Sequence, residues 1–341
     1  MWSPRTFALR SCAAGLAAAC AAATVVLRRA RLPEGMAGIT EFGEQLDAGY
    51  DLLHSHYWLS GQVGWAVARN WRIPLVHSMH TMAKVKNLAL AESDRPEPQV
   101  RVLGEEQVVQ AASLLIANTH REAAELIEHY DALPESVRVI HPGVDLDNFK
   151  PADGRLNARA RLGWEPDDFI IGFVGRLQPL KAPDILVEAL SLMPAAASGG
   201  NRIRLVICGG PSGNGRESLI ELQQLAESLD VADRVEFLPP VLADQLAEYY
   251  RAFNVVAVPS YSESFGLVAV EAQATGTPVV AAAVGGLVTA VKDGVSGALI
   301  GSHDPAAWAR ALIGLANQSA LRDRLSTGAL QHARRFSWDL T

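Results

Sequence analysis

The sequence predicts an α/β protein with two Rossmann-like domains, each built on a doubly wound parallel sheet. Short apolar runs bounded by Gly or Pro alternate with helix-periodic segments from residue 51 onward. These runs fall into two sets, which are separated by a stretch rich in Pro and Gly at 142–154. The chain has 341 residues, and at about 100–200 residues per domain this length favours two domains.

Each predicted strand is a short apolar run, as expected for a parallel strand that is buried on both faces. In an N-terminal domain over 51–150 the predicted strands are Asp51–Tyr57, Ile73–His80, Ser113–Thr119 and Val137–His141. In a C-terminal domain over 151–341 they are Phe169–Gly175, Ile203–Cys208, Val235–Leu238, Val255–Pro259 and Pro278–Ala283. Helical periodicity predicts helices over Gly104–Ala112, Arg121–Tyr130, Pro183–Leu192, Leu219–Leu229 and Asp244–Phe253.

Residues 1–50 differ from the rest and form an atypical Ala-rich segment. Phe7–Leu27 contains nine alanines and Arg10. A charge near the bilayer centre costs about 2.5–3.5 kcal/mol, and alanine offers little to offset it. We therefore favour a helix packed on the protein surface. The alternatives are a signal peptide or membrane anchor, or a stretch that is not native to the fold, for example through a shifted start or reading frame.

Composition excludes several function classes. The net charge of -7 disfavours general nucleic-acid binding, which needs a basic surface. The cysteines Cys12, Cys20 and Cys208 show no CxxC spacing, which argues against a disulfide scaffold or a structural zinc site and favours a reducing, cytoplasmic location. The sequence also lacks the glycine patterns of dinucleotide-binding and P-loop proteins and the G-x-S-x-G motif of hydrolases.

Two cations follow the predicted strand Phe169–Gly175. Arg176 and Lys181 stand at its carboxyl end, which is where ligands bind in open α/β sheets. Two cations at such a turn can neutralise a diphosphate and stabilise a departing phosphate. The alternative is a pair of solvated surface charges.

A second candidate group follows the strand Val255–Pro259. The amides of Phe265, Gly266 and Leu267 fall where the first turn of the next helix is expected, and such amides bind anions. Glu263 and Glu271 flank them and can accept hydrogen bonds from sugar hydroxyls. The alternatives are helix capping for Glu263 and a solvated helix position for Glu271.

The E-x7-E pair Glu263 and Glu271, together with Gly175-Arg176 and Lys181, resembles the motif of retaining glycosyltransferases of the GT-B type. That family includes the sucrose synthases. A closer resemblance, over about residues 50 to 341, is to its members that act on inositol phosphate in mycothiol biosynthesis. The segments that carry this resemblance are 54–61, 95–105, 141–145, 178–183 and 209–213.

The resemblance implies a GT-B architecture, with two Rossmann-like domains facing a cleft. It also implies transfer of N-acetylglucosamine from UDP-N-acetylglucosamine to 1D-myo-inositol 3-phosphate, with retention at the anomeric carbon, as the first step of mycothiol biosynthesis. The expected partners are thus a UDP-sugar donor and an inositol phosphate acceptor. We leave a homodimer open.

The resemblance further implies roles for individual residues. The catalytic set is His80, near the transferred sugar, with Arg176, Lys181 and Glu263. The donor site adds Val241 near the uracil, the segment Phe265, Gly266 and Leu267, and Glu271 on the ribose. The acceptor residues are Tyr57, Thr81 and Arg101, the last on the phosphate. A magnesium site peripheral to catalysis falls at Tyr250, Arg251, Phe253 and Thr277, and the chemistry itself requires no cofactor.

The sequence departs from the family at both ends. No glycine-rich loop precedes Asp51, and the only lysines ahead of Arg101 are Lys84 and Lys86, which lie past Thr81 and do not match the family's acceptor-binding lysine. The chain ends at Thr341, where family members continue into a further helix. We therefore expect an incomplete N-terminal domain and a poorly active or unstable chain.

Two alternative functions stay open. One is a related GT-B transferase with another acceptor, of the sucrose-phosphate or glycan type. The other is a non-catalytic remnant that still binds a UDP-sugar through residues 151–341.

Overall fold

The structure is a computed structural model, and it describes residues 25–29, 50–88, 90, 95–210 and 216–341. The predicted Ala-rich segment over 1–50 lies outside the described residues, except for 25–29 and Tyr50, and so do Cys12 and Cys20. The chain divides into two compact units. Unit 1 comprises Met1–Leu88 and Pro96–Ile140, and unit 2 comprises Ala89–Arg95 and His141–Thr341.

Unit 1 contains a five-stranded sheet. Its strands are β1 Val25–Arg29, β2 Tyr50–His56, β3 Leu75–Ser78, β4 Leu114–Ala117 and β5 Val137–Val139. They lie in the order β1-β2-β3-β4-β5, and β2 to β5 are parallel as the sequence predicts. The strand β1 pairs antiparallel with β2, which departs from an all-parallel sheet.

The helices of unit 1 pack on this sheet. They are α1 Trp58–Trp71, α2 Ala83–Leu88, α3 Gln99–Ala111 and α4 His120–Tyr130. The side chain of Thr119 caps α4 by accepting a hydrogen bond from the Glu122 amide at 3.0 Å. The core between helices and sheet is centred on Leu115, Leu126 and Tyr130, each at most 1% exposed.

Unit 2 contains a six-stranded parallel sheet. Its strands are β6 Phe169–Val174, β7 Ile203–Cys208, β8 Val235–Leu238, β9 Val255–Val258, β10 Val279–Ala282 and β11 Gly297–Ile300. They lie in the order β11-β10-β9-β6-β7-β8. The strands β9 and β10 are buried along their whole length, as expected where helices cover both faces of a sheet.

Eight helices are described in unit 2. They are α5 Arg155–Leu162, α6 Pro183–Ser191, α7 Arg216–Ser228, α8 Ala243–Ala252, α9 Leu267–Ala274, α10 Leu287–Ala290, α11 Pro305–Asn317 and α12 Ser319–Ala333. In the described part of the chain, no helix combines the length and the apolar character that crossing a bilayer requires.

Strand order positions the candidate site residues. In unit 1, β2 and β3 are parallel neighbours, with His56 opposite Ser78 at their carboxyl ends. In unit 2, β6 and β9 are parallel neighbours, with Gly172 opposite Val256. Because parallel neighbours end at one edge of a sheet, the loops that follow them lie side by side.

Candidate functional site

The three residues predicted to bind an acceptor come together in unit 1. Tyr57 follows β2 and precedes α1, and its amide donates a hydrogen bond to the Ser78 carbonyl at 2.9 Å. Arg101, on α3, donates from Nη2 to the hydroxyl of Thr81 at 2.7 Å. Its guanidinium carbon lies 5.3 Å from the centroid of the Tyr57 ring, within cation–π range.

Arg101 is held by two carboxylates as well. Its Nε donates to Glu105 at 2.7 Å, and its Nη1 lies 2.9 Å from an oxygen of Glu97. Burial acts to lower the pKa of Arg101, but the hydrogen bond to Glu105 and the charges of Glu105, Tyr57 and Glu97 together outweigh burial, and the pKa is raised. The guanidinium is therefore a fixed positive charge.

Glu105 is the residue of this cluster that sequence reasoning missed. Its carboxylate is fully buried and accepts hydrogen bonds from the Ala83 amide at 2.8 Å and from the Tyr130 hydroxyl as well. A carboxylate can be buried here because three donors replace most of the hydrogen bonds that water would make to it. The spacing of Arg101 and Glu105, four residues apart on a predicted helix, was the signal available in the sequence.

His80 lies beside a second histidine. It follows β3 with a left-handed backbone (φ 61°), and its Nε2 is 2.8 Å from Nδ1 of His56. Burial lowers the pKa of both rings, that of His56 to about 4. Both imidazoles are thus neutral near pH 7, and His80 can form a hydrogen bond with a sugar hydroxyl without carrying charge.

In unit 2 the structure brings together the predicted residues Lys181 and Glu263, which form an ion pair. The two loops are joined next to this pair, because the Tyr261 amide donates to the Leu180 carbonyl at 2.9 Å. The hydroxyl of Ser260 lies 3.4 Å from the Glu263 carboxylate. A cation and a carboxylate side by side can contact a phosphate and a sugar hydroxyl of one ligand.

Arg176 lies on the same loop as Lys181, directly after β6 and Gly175. Its side chain is exposed and has no hydrogen bond or ion pair within the part of the chain that is described. The turn that carries it is tight, because a Cβ on Gly209 would lie 1.8 Å from the Gly175 carbonyl oxygen. Arg176 is therefore held by its backbone and is available to a ligand.

The segment from Glu263 to Leu267 leads into α9. Gly266, with φ 99°, takes the left-handed conformation that starts the helix. The Glu263 carbonyl accepts a hydrogen bond from the Gly286 amide at 2.7 Å. A Cβ on Gly286 would lie 2.3 Å from the Phe265 Cα, so only glycine allows this approach. The amides of Leu267 and Val268, in the first turn of α9, have no acceptors within the helix and can bind an anion, whereas the Ala269 amide already donates to the Gly266 carbonyl.

Glu271 lies on α9 itself and does not join the ion pair of Lys181 with Glu263. Its carboxylate accepts a hydrogen bond from the Tyr250 hydroxyl at 2.9 Å. Burial raises the pKa of Glu271, while the bond from Tyr250 opposes that shift. Val241 is half-buried in the loop between β8 and α8.

Three of the four residues predicted to hold magnesium have an oxygen atom that takes part in a hydrogen bond. The Tyr250 carbonyl accepts from the Thr277 hydroxyl at 2.6 Å, and the Phe253 carbonyl accepts from Nε of Arg155 at 3.0 Å. The Arg251 guanidinium reaches the Lys150 carbonyl and the Glu248 carboxylate. The Phe253 oxygen thus already accepts a hydrogen bond from an arginine, and the magnesium site stays a prediction. No set of three His, Cys, Asp or Glu side chains in the described ranges is placed to hold a metal ion.

Comparison with known proteins identifies the family. The model for "Glycosyl transferases group 1" matches residues 154–332, and that for "Glycosyl transferase 4-like domain" matches residues 5–143. The D-inositol 3-phosphate glycosyltransferase of Streptomyces bingchenggensis is 58% identical over 291 residues, which cover 85% of this chain and 64% of that protein. The chain thus spans just under two thirds of the length of that curated relative.

Solved structures of similar fold lead to the same family. Sucrose-phosphate synthase from Thermosynechococcus elongatus has a TM-score of 0.79 and 31% identity, covering 87% of this chain and 72% of that one. HepE from Anabaena, solved in complex with UDP and glucose, has a TM-score of 0.74 and 26% identity, covering 84% of this chain and 74% of that one. The GT-B fold predicted from the sequence is confirmed. The chain belongs to the group 1 glycosyl transferases and is similar, within that family, to the D-inositol 3-phosphate glycosyltransferases.

Proposed function

We propose that this protein transfers N-acetylglucosamine from UDP-N-acetylglucosamine to 1D-myo-inositol 3-phosphate, with retention of the anomeric configuration. The observation that carries the proposal is the cluster of Tyr57, Thr81 and Arg101, which gathers a ring, a hydroxyl and a fixed cation in unit 1. A phosphorylated polyol can use these groups, because its phosphate pairs with the cation and its hydroxyls form hydrogen bonds with polar side chains. The names of the relatives support the same acceptor.

We assign the donor to unit 2. Arg176 and Lys181 contact the diphosphate, and Glu263 accepts hydrogen bonds from the hydroxyls of the donor sugar. Glu271 accepts hydrogen bonds from the ribose, and the loop at Val241 holds the uracil. The Lys181–Glu263 ion pair supports this arrangement, and so does the UDP complex of HepE, a protein of similar fold.

The transfer proceeds by attack on the face from which UDP leaves. The acceptor hydroxyl oxygen forms a bond to the anomeric carbon while the bond from that carbon to the β-phosphate oxygen breaks. The proton of the acceptor hydroxyl passes to an oxygen of the departing phosphate. The protein contributes position and charge, since Arg176, Lys181 and the first amides of α9 stabilise the negative charge that develops on UDP.

His80 contacts the sugar that is transferred. As a neutral imidazole it orients a sugar hydroxyl without competing with the cations for the phosphate. No step requires a metal ion. The pathway is that of mycothiol, and the reaction takes place in the cytoplasm.

One observation favours a second candidate, a transferase for a different phosphorylated acceptor. The structural similarity to a sucrose-phosphate synthase is high, and the Arg101 cluster would accept other sugar phosphates. Incubation of the full chain with UDP-N-acetylglucosamine and, in separate reactions, 1D-myo-inositol 3-phosphate, other sugar phosphates and inositol as control tests the two. We expect product mass only with the phosphorylated inositol, and with Arg101→Ala we expect that selectivity to be lost.

Two other results would favour the alternative functions. Binding of UDP without transfer to any phosphorylated acceptor would favour the UDP-sugar-binding remnant. Equal transfer to several sugar phosphates would favour the second candidate.

A further inference from the structure

An ion-pair network next to Arg101 contains a carboxylate between two cations. Glu97 contacts Nζ of Lys86 through one oxygen and Nη1 of Arg101, at 2.9 Å, through the other. A carboxylate held in this way resembles two oxygens of a phosphate group, because both present adjacent anionic acceptors to a pair of donors. The network therefore has the donor arrangement of a phosphate site.

Of the two carboxylates that bind Arg101, only Glu97 can be displaced by a ligand. Glu105 is fully buried and has two further donors, Ala83 and Tyr130. The side chains of Glu97 and Lys86 are 19% and 28% exposed, so solutes can reach them.

The backbone of Glu97 is anchored independently of its side chain. Its amide donates a hydrogen bond to Oδ1 of Asn87 at 2.7 Å. Rotation about the side-chain bonds can therefore remove the carboxylate from the two cations without moving the start of α3. Although burial acts to raise the pKa of Glu97, Lys86 and Arg101 hold it below its usual value, so the carboxylate is charged at neutral pH.

We propose that the Glu97 carboxylate is an internal occupant of the acceptor's phosphate position, and that Lys86 is a second phosphate-binding residue beside Arg101. When a phosphorylated acceptor binds, its phosphate replaces Glu97 between Lys86 and Arg101. This inference rests on the proposed function, because it concerns the acceptor of the same reaction.

A neighbouring lysine provides the matched control. Lys84 stands on the same helix, α2, but it pairs with Glu106 at 2.7 Å and with the His129 carbonyl. The two lysines lie on one short helix, but only Lys86 contacts Glu97. Replacement of Lys84 therefore removes a lysine charge from the same helix without touching the pair of Glu97 and Lys86.

The test is calorimetric titration of the full chain with 1D-myo-inositol 3-phosphate and, separately, with inorganic phosphate and inositol. We expect Lys86→Met to raise the Kd for inositol 3-phosphate about tenfold or more, as for loss of a charge-assisted hydrogen bond, and to leave inositol binding unchanged. Lys84→Met stays within about twofold of wild type. Glu97→Gln lowers the Kd severalfold, because the neutral amide competes less with phosphate. Melting temperatures and UDP binding confirm that each variant is folded.

Two results would overturn the proposal. One is a Kd for Lys86→Met equal to that of Lys84→Met. The other is a Glu97→Gln variant that binds inositol 3-phosphate more weakly than wild type, since Glu97 would then position the cations and not compete. Failure of the proposed function looks different: the wild type would bind inorganic phosphate through Lys86 but would neither bind nor glycosylate inositol 3-phosphate.

Discussion

Replacement of Gly286 by alanine tests how the loop carrying Glu263 is held. Gly286 has φ -72° and ψ -15°, a conformation open to any residue, so the substitution changes only the space available. The new Cβ would lie 2.3 Å from the Phe265 Cα and 2.3 Å from the Ser264 oxygen. A comfortable carbon–carbon contact is about 3.5 Å, so the loop must move by about 1.2 Å.

A displacement of this size has a predictable effect on catalysis. Misplacement of a reacting or binding group by about 1 Å can lower the rate about 100-fold. We expect Gly286→Ala to lower kcat/KM for transfer by about that factor and to weaken UDP binding, because Glu263 and the first amides of α9 move together. Steady-state kinetics and UDP calorimetry measure the two effects.

Gly314 supplies the control. It lies in α11, and a Cβ there meets nothing within 4 Å. Since alanine is favoured over glycine in a helix by about 0.5–1 kcal/mol, Gly314→Ala should retain full activity and melt no lower than wild type. Wild-type kcat/KM and UDP affinity in Gly286→Ala would refute the reasoning.

Three further predictions concern stability and metal dependence. Burial raises the pKa of Glu122 to about 7 from 4.5, so between these values the native state keeps a proton that the unfolded chain releases. The free energy of unfolding should therefore fall by up to about 3 kcal/mol as pH rises from about 4.5 to about 7. Urea titrations should show this fall in wild type but not in Glu122→Gln. Equal dependence of the unfolding free energy on pH in the two proteins would contradict the prediction. Arg159 is buried and donates to four oxygen atoms, so Arg159→Met should lower the free energy of unfolding by about 3 kcal/mol or more. The control Arg161→Gln, at an exposed position, should change the urea midpoint little. Similar urea midpoints for the two variants would contradict the prediction. Treatment with EDTA should leave the transfer rate unchanged, because the proposed transfer step uses no metal ion. A loss of rate that added magnesium restores would contradict this prediction.

The sequence predicted the sheets well because buried parallel strands are continuous apolar runs. The predicted strand Phe169–Gly175 is β6 to within one residue, and Asp51–Tyr57 is β2 shifted by one. The helix α1 was not predicted, and its glycines explain why. Glycine disfavours helices, but a Cβ on Gly61 would lie 2.7 Å from Val108, so packing requires it there. Tertiary contact overrides local propensity at this helix.

The residues of the candidate site that stand at the ends of neighbouring strands could be predicted from the sequence. Those that meet only through the packing of helices and side chains could not. Lys181 and Glu263 were expected at one sheet edge, and they form an ion pair. Lys86, on α2, and Glu97, in the loop before α3, stand eleven residues apart, and no periodicity joins them. Their meeting at Arg101 depends on how α2 and α3 pack, which residue patterns alone do not specify.

The proposed donor site depends most on the binding of a nucleotide diphosphate by the cations after β6. Calorimetric titration of UDP into wild type, Lys181→Met and the exposed control Lys292→Met measures this directly. We predict that Lys181→Met raises the Kd for UDP about tenfold or more and that Lys292→Met leaves it unchanged. Equal UDP affinity in all three proteins would contradict the account.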